Sequence, residues 1–147
     1  MLLWSDDFNV NGNVNKNNWK FEIGNGVNGW GNNELQYYTN SNAFVKNGAL
    51  TIEARKENIG SFKYKSSRLV STKAFKYGIF EARIKLPKGA GSWPAFWLLS
   101  SKTPLNWPAD GNIRLCDITS LYFLNNIFLY YKVNWILWNM RDEILVV

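Results

Sequence analysis

Apolar and polar residues alternate with a period of two in several segments of this chain. In ALTIEAR, Leu50, Ile52 and Ala54 fall on one side and Thr51, Glu53 and Arg55 on the other. In GIFEARIKL, Phe80, Ala82, Ile84 and Leu86 oppose Glu81, Arg83 and Lys85. Successive side chains of a strand point to opposite faces, so these segments are predicted to be half-buried β-strands. Asn47-Gly48 sits between AFV and ALTIEA and predicts a tight hairpin, because this dipeptide accepts positive φ at both positions. Asn25-Gly26 and Asn28-Gly29 predict a looser loop. No helical stripe of comparable length precedes residue 111, and the pattern as a whole predicts an antiparallel sandwich.

After residue 111 the pattern changes. All eleven glycines and all four prolines lie at or before Gly111, whereas 23 of the last 36 residues are apolar. Sandwich strands need turns, so the expectation is a first region of residues 1–111 and a divergent apolar tail of residues 112–147 that does not continue the same architecture. Three alternatives stay open for that tail: a helix, two strands closing the core, or sequence read out of frame. A membrane span is disfavoured. The charge-free run from Ile118 to Tyr131 is 14 residues long and is split by Asn125-Asn126, short of the roughly 20 apolar residues a helical span needs.

Composition narrows the chemistry. With one cysteine, Cys116, and no histidine among 147 residues, an internal disulfide is excluded and a zinc or thiol site has almost nothing to draw on. The net charge of +6 comes from basic residues scattered at alternate strand positions, which reads as a solvated sheet face and not as a nucleic-acid surface. Aromatic residues make 16% of the chain, eight of them tryptophans, so flat stacking surfaces are plentiful. The start MLLWSDDF reaches acidic residues within six positions and lacks the basic and apolar stretches of a secretory signal.

Sugars suit such surfaces. Pyranose rings pack their C–H faces on aromatic rings, and their hydroxyls need amides, carboxylates and guanidinium groups as partners. Three stretches supply both: GWGNNELQYYT (Gly29 to Thr39), YGIFEARIKLPKGAGSWPAFWLL (Tyr77 to Leu99), and the Trp-Pro-x-x-Gly of Trp107 to Gly111. Together with WSDDF and NGALTIEARKE they resemble glycoside hydrolase family 16, and within it the laminarinase-like endo-β-1,3-glucanases. The resemblance covers residues 4 to 111, about the first half of such a domain. It implies a concanavalin-like β-jelly-roll of antiparallel strands, here incomplete, with a cleft for β-1,3-glucan or β-1,3-1,4-glucan and export from the cell. By the same resemblance, Asn32, Arg68, Trp93, Trp97 and Trp107 line glucan subsites, while Trp4 and Trp19 are expected to pack inside. No cofactor is implied for catalysis. A structural calcium is implied near Asp7 and Gly48, although the family's further ligand from the far carboxy-terminal part has no counterpart here.

The family's catalytic motif, E-x-D-x-x-E, follows Trp-Pro-x-x-Gly directly. Its first Glu is the nucleophile, its Asp tunes that Glu, and its last Glu is the general acid and base. Retaining hydrolysis needs two carboxyl groups about 5–5.5 Å apart. Positions one and three share a strand face, and a bulge is required to bring position six onto it. The corresponding residues are Asn112, Arg114 and Asp117. An amide at Asn112 cannot attack an anomeric carbon, and a guanidinium at Arg114 favours ionised Asp117, against its use as an acid. Rescue by an inverting route needs a second carboxylate, for which Glu34 is the candidate. The expectation is a β-glucan hydrolase fold whose own catalysis is impaired, with a non-catalytic β-glucan-binding protein or an unstable fragment as alternatives.

Overall fold

The computed structural model describes residues 1–87, 91–102, 104 and 109 and, as backbone, the strands Asn112–Asp117, Leu129–Ile136 and Asp142–Val146. Among the described residues regular structure is almost entirely strand, without an α-helix. The strands are β1 (Trp19–Phe21), β2 (Gln36–Tyr38), β3 (Ala43–Lys46), β4 (Ala49–Ile52), β5 (Tyr64–Ser66), β6 (Leu69–Phe75), β7 (Tyr77–Ile84), β8 (Ala95–Ser100), β9 (Asn112–Asp117), β10 (Leu129–Ile136) and β11 (Asp142–Val146). The chain divides into two compact units, with the boundary inside β6 between Thr72 and Lys73.

In the first unit, β3 and β4 form the expected hairpin. Lys46 pairs with Ala49, leaving Asn47 (φ 53°) and Gly48 (φ 72°) as a two-residue left-handed turn. This is the turn whose twist matches that of the flanking strands. The following strand is shorter than its alternation suggests. It ends at Ile52, and Leu50, Thr51, Ile52 and Glu53 are all half-buried, so Ala54 and Arg55 lie beyond it. Pairing ends there because Asn42 takes over: its Nδ2 donates to the Glu53 carbonyl (3.3 Å) and its carbonyl accepts the Glu53 N–H (2.8 Å).

One pair departs from the antiparallel expectation. β2 runs parallel to β5, Gln36 opposite Tyr64 and Tyr38 opposite Ser66. A parallel pair requires a long connection, and the intervening chain, which includes the β3–β4 hairpin, provides it. The core of this unit gathers Val14, Trp19, Tyr38, Ala43, Val45, Leu69 and Val70. Trp4 meets Trp19 edge-on at 5.5 Å and Phe8 stacks on it at 6.3 Å, while the Trp19 Nε1–H donates to Asp6 (2.9 Å). Both tryptophans are therefore packing residues, as expected.

In the second unit the period of two holds along β7. Phe80 is buried and Ala82, Ile84 and Leu86 are half-buried, whereas Glu81, Arg83 and Lys85 are exposed. β8 alternates likewise, with Phe96, Leu98 and Ser100 buried and Ala95, Trp97 and Leu99 half-exposed. The apolar tail differs from expectation. It contributes three strands: β9 and β11 flank β8 on either side, and β10 pairs with β7 from Leu129 opposite Ile84 to Ile136 opposite Tyr77, all antiparallel. Ladder bonds are made by the backbone, so neither alternation nor glycine is needed for a segment to pair once a neighbour presents an edge.

Replacing Asn47-Gly48 by Ala-Ala puts Cβ-bearing residues without local side-chain compensation into a left-handed turn. The double variant is expected to lose about 2–4 kcal/mol at about 1–2 kcal/mol per residue, read as a lower denaturation midpoint with an unchanged m-value.

Candidate functional site

The site of the first unit is prepared by a glycine-rich loop. Asn28, Gly29, Trp30, Gly31 and Asn33 all adopt positive φ between 51° and 76°. Two glycines are required by close approach. A Cβ on Gly26 would lie 2.5 Å from the Trp30 ring, and one on Gly29 would lie 2.5 Å from the Glu34 nitrogen. The loop therefore curls tightly enough to seat the Trp30 indole on the backbone and to bring Glu34 back beside Gly29. Asn25 holds the exit of the loop, its Nδ2 donating to the carbonyls of Glu34 (2.9 Å) and Gln36 (2.8 Å).

Beyond this loop, Glu34, Gln36 and Tyr38 occupy alternate positions leading into and along β2, so they share one face. Their side chains meet. Glu34 Oε2 accepts from the Tyr38 hydroxyl (2.5 Å) and from Gln36 Nε2 (2.9 Å), and Oε1 accepts from Asn32 Nδ2 (3.1 Å). Gln36 Nε2 also lies 2.7 Å from the Tyr38 hydroxyl. Tyr38 is 1% exposed, and its ring lies 6.2 Å from that of Trp30. Burial, then the hydrogen bond to the Glu34 carboxylate and its charge, push the Tyr38 phenol well above the usual tyrosine range; Gln36 and Arg68 oppose this more weakly.

Arg68 enters the same cluster from the segment preceding β6. Its guanidinium lies 4.2 Å from the Trp30 ring centre and forms an ion pair with Glu22, just past β1. The Arg68 side chain is 7% exposed and that of Glu22 34%. A guanidinium this deeply buried needs a counterion, and the aromatic face adds a cation–π contact. Among the described residues the buried Trp30 Nε1 meets no acceptor, so Trp30 acts through its ring.

The structure thus brings three sequence-selected residues, Asn32, Glu34 and Arg68, into one cluster of the first unit. Asn32 is exposed, whereas Arg68 is buried and its charge is met internally by Glu22. In the second unit Trp93 is 43% exposed and Trp97 is half-buried on the open side of β8; Trp107 lies outside the described residues. Asp7 and Gly48 are both exposed. Among the described residues no three carboxylate, imidazole or thiol side chains gather.

The pairing of β9 with β8 contains a bulge. Leu99 faces Asn112 and Trp97 faces Arg114, but Phe96 faces Cys116 and Ala95 faces Asp117. Leu115 is left without a partner. Asn112, Arg114 and Asp117 consequently stand opposite Leu99, Trp97 and Ala95, the three half-exposed positions of β8. One irregularity changes parity between the third and sixth motif positions.

Gln36, Tyr38, Glu22 and Trp30 were not singled out from the sequence as members of this site. A signal existed for two of them, since Glu34, Gln36 and Tyr38 alternate in ELQYY. No comparable signal joined Glu22 to Arg68, which are 46 residues apart.

Known proteins share this fold. The laminarinase catalytic domain from Thermotoga maritima superimposes with a TM-score of 0.85 at 29% identity, covering 99% of this chain and 85% of that one. The laminarinase from Rhodothermus marinus gives a TM-score of 0.73 at 40% identity, over 80% of this chain and 49% of that one. Fold and neighbours define a β-jelly-roll of the laminarinase class. The family described as Glycosyl hydrolases family 16 matches residues 30–110, more than half of the sequence. The chain belongs to glycosyl hydrolase family 16. Relatives in sequence include the clotting factor G alpha subunit of Tachypleus tridentatus, 46% identical over 119 residues, and the beta-glucanase of Rhodothermus marinus, 41% identical over 124. Each match takes in 79% of this chain, but only 17% and 43% of the respective relatives. The chain spans less than half the length of these two proteins.

Glu22→Gln removes the charge of the carboxylate paired with buried Arg68. The expected loss is about 3 kcal/mol, at the low end for a buried pair because Glu22 is partly solvated, measured by chemical denaturation. The raised Tyr38 phenol has its own consequence. The unfolded chain loses this proton near pH 10 while the folded chain keeps it, so the contribution is fully present below pH ~10 and declines as pH rises above it. Alkaline absorbance titration of the folded protein is expected to show one tyrosine fewer ionising in the ordinary range, a deficit absent in Tyr38→Phe.

Proposed function

We propose that this chain recognises β-1,3-glucan and that its own β9 does not supply the family's retaining hydrolysis. The observation that carries this reading is the β8–β9 register. The bulged strand keeps the spacing that the E-x-D-x-x-E motif needs, but Asn112 stands at the nucleophile position, Arg114 at the helper position and Asp117 at the acid/base position. Covalent catalysis requires an anionic oxygen at the first of these, and an amide has none.

The neighbouring strand offers no substitute. Glu143 of β11 stands opposite Leu99, on the same parity as Asn112, Arg114 and Asp117. Its row lies four residues along β8 from that of Asp117, about 14 Å at the rise of a strand, and two strands across, about 10 Å. Even the wider carboxyl separation of inverting enzymes, roughly 6.5–9.5 Å, is shorter than this.

Binding has separate support. Trp97 is half-exposed beside the Arg114 position and Trp93 is exposed before it, while Asn32 offers an amide in the first unit. Among relatives, the protein from Cryptopygus antarcticus is a glucan endo-1,3-beta-glucosidase, and that from Penaeus monodon is a beta-1,3-glucan-binding protein. A family structure from Z. galactanivorans holds laminaritriose and laminaritetraose. Secretion and a structural calcium would be in keeping with such a role.

The expected outcome is that the purified chain is retarded on laminarin-containing native gels and releases no reducing sugar from laminarin. A variant carrying Asn112→Glu, Arg114→Asp and Asp117→Glu is the matched control. Reducing sugar from the unaltered chain would overturn the catalytic half of this reading, and unretarded migration would overturn the binding half.

A further inference from the structure

We propose that Tyr38 is a positioning residue for glucan recognition, acting through the Glu34 carboxylate to fix the side-chain amide of Asn32. The inference rests on the glucan-binding reading of Asn32 and adds to it the means by which an exposed loop amide is held.

Asn32 is exposed and lies on a loop, where an amide ordinarily rotates and presents its oxygen and nitrogen in either order. A carboxylate only accepts hydrogen bonds, so contact with Glu34 Oε1 at 3.1 Å requires Nδ2 on that side. The Asn32 carbonyl and its second N–H are then left for a ligand. A sugar carries hydroxyls that both donate and accept, and an amide held in one orientation meets one such pattern and not its inverse.

Glu34 is itself only half-buried and would not stay in place unaided. Its other oxygen is held by the Tyr38 hydroxyl at 2.5 Å and by Gln36 Nε2 at 2.9 Å. Tyr38 is fixed in turn. Its ring is buried beside Trp30, and its backbone makes two bonds with Gly24, its N–H donating to the Gly24 carbonyl (2.8 Å) and its carbonyl accepting the Gly24 N–H (2.9 Å). Order therefore passes outward from a buried ring, through a charged acceptor, to an exposed amide. Gln36 alone is a weaker anchor, because its neutral amide also shares its donors with the Tyr38 hydroxyl.

The first test needs no ligand. In ¹H–¹⁵N spectra the Asn32 side-chain amide is expected away from solvent-exposed asparagine positions in the unaltered chain and is expected to move to them in Tyr38→Phe. An unchanged Asn32 amide would overturn the proposal. The second test is a calorimetric cycle with laminarihexaose. Tyr38→Phe is expected to weaken binding roughly three- to tenfold, the scale of losing one pre-ordered side chain, and to have no further effect when Asn32→Ala is already present. Equal weakening in both backgrounds would overturn the proposal in favour of a general loosening of the unit. If Tyr38→Phe fails to fold, Glu34→Gln replaces it in both tests, because an amide cannot accept on both sides as the carboxylate does. Failure of the unaltered chain to bind laminarihexaose, with the Asn32 amide still responding to Tyr38→Phe, would overturn the glucan reading and Tyr38's role in recognition with it. That outcome differs from an unresponsive amide, which overturns the relay alone.

Discussion

The period of two along a strand is the constraint on which both units depend. It sets Glu34, Gln36 and Tyr38 side by side so that one carboxylate can collect three side-chain donors. It separates Phe96, Leu98 and Ser100 from Ala95, Trp97 and Leu99, giving β8 a buried and an open side. A strict repeat would send Asp117 to the opposite parity from Asn112 and Arg114. The unmatched Leu115 removes that conflict by adding one residue to β9. Register is a property of the backbone and catalysis one of the side chains, so a strand can keep this register whatever chemical groups it carries.

In the first unit, buried polarity imposes the second requirement. Arg68 and Tyr38 carry a guanidinium and a hydroxyl into an interior that also holds Trp19, Val45 and Leu69. Each has a nearby carboxylate, Glu22 for Arg68 and Glu34 for Tyr38. Trp30 lies against both, with the guanidinium over its ring and Tyr38 beside it. The glycines of the preceding loop are what permit this, since a methyl group on Gly26 would occupy the place of the indole. Residues that look like ligand groups in the sequence can thus serve first to order one another. Arg68 is the clearest instance, because its charge is met within the unit.

Membership of glycosyl hydrolase family 16 and the proposed loss of family catalysis are compatible. The family match covers residues 30–110, which hold the end of the loop, the strands β2 to β8, and Trp93 and Trp97. The catalytic motif begins after that range. A strand there can change its chemistry while its neighbours keep the fold, and under the proposed reading a cleft without a nucleophile remains a surface able to bind sugar.

Much of the fold was legible from local chemistry. The alternation in GIFEARIKL, the left-handed turn at Asn47-Gly48 and the packing roles of Trp4 and Trp19 follow from strand periodicity, glycine-like backbone freedom and aromatic burial, each of which acts within a few residues. The tail was hard to read because no glycine or proline separates its strands and its alternation is confined to short runs such as NIRL in β9 and YKVNW in β10. Strands formed earlier in the chain, among them β7 and β8, supply the edges on which β9, β10 and β11 pair. The same holds for the site. ELQYY by itself determined that three polar side chains would stand in a row, and residues 112–117 by themselves determined which chemical groups β9 could offer. Tertiary structure alone decided that Glu22 neutralises Arg68, that β2 runs parallel to β5, and that Leu115 is the residue left out of register. These are relations between backbone segments brought together by folding, and no segment contains them alone.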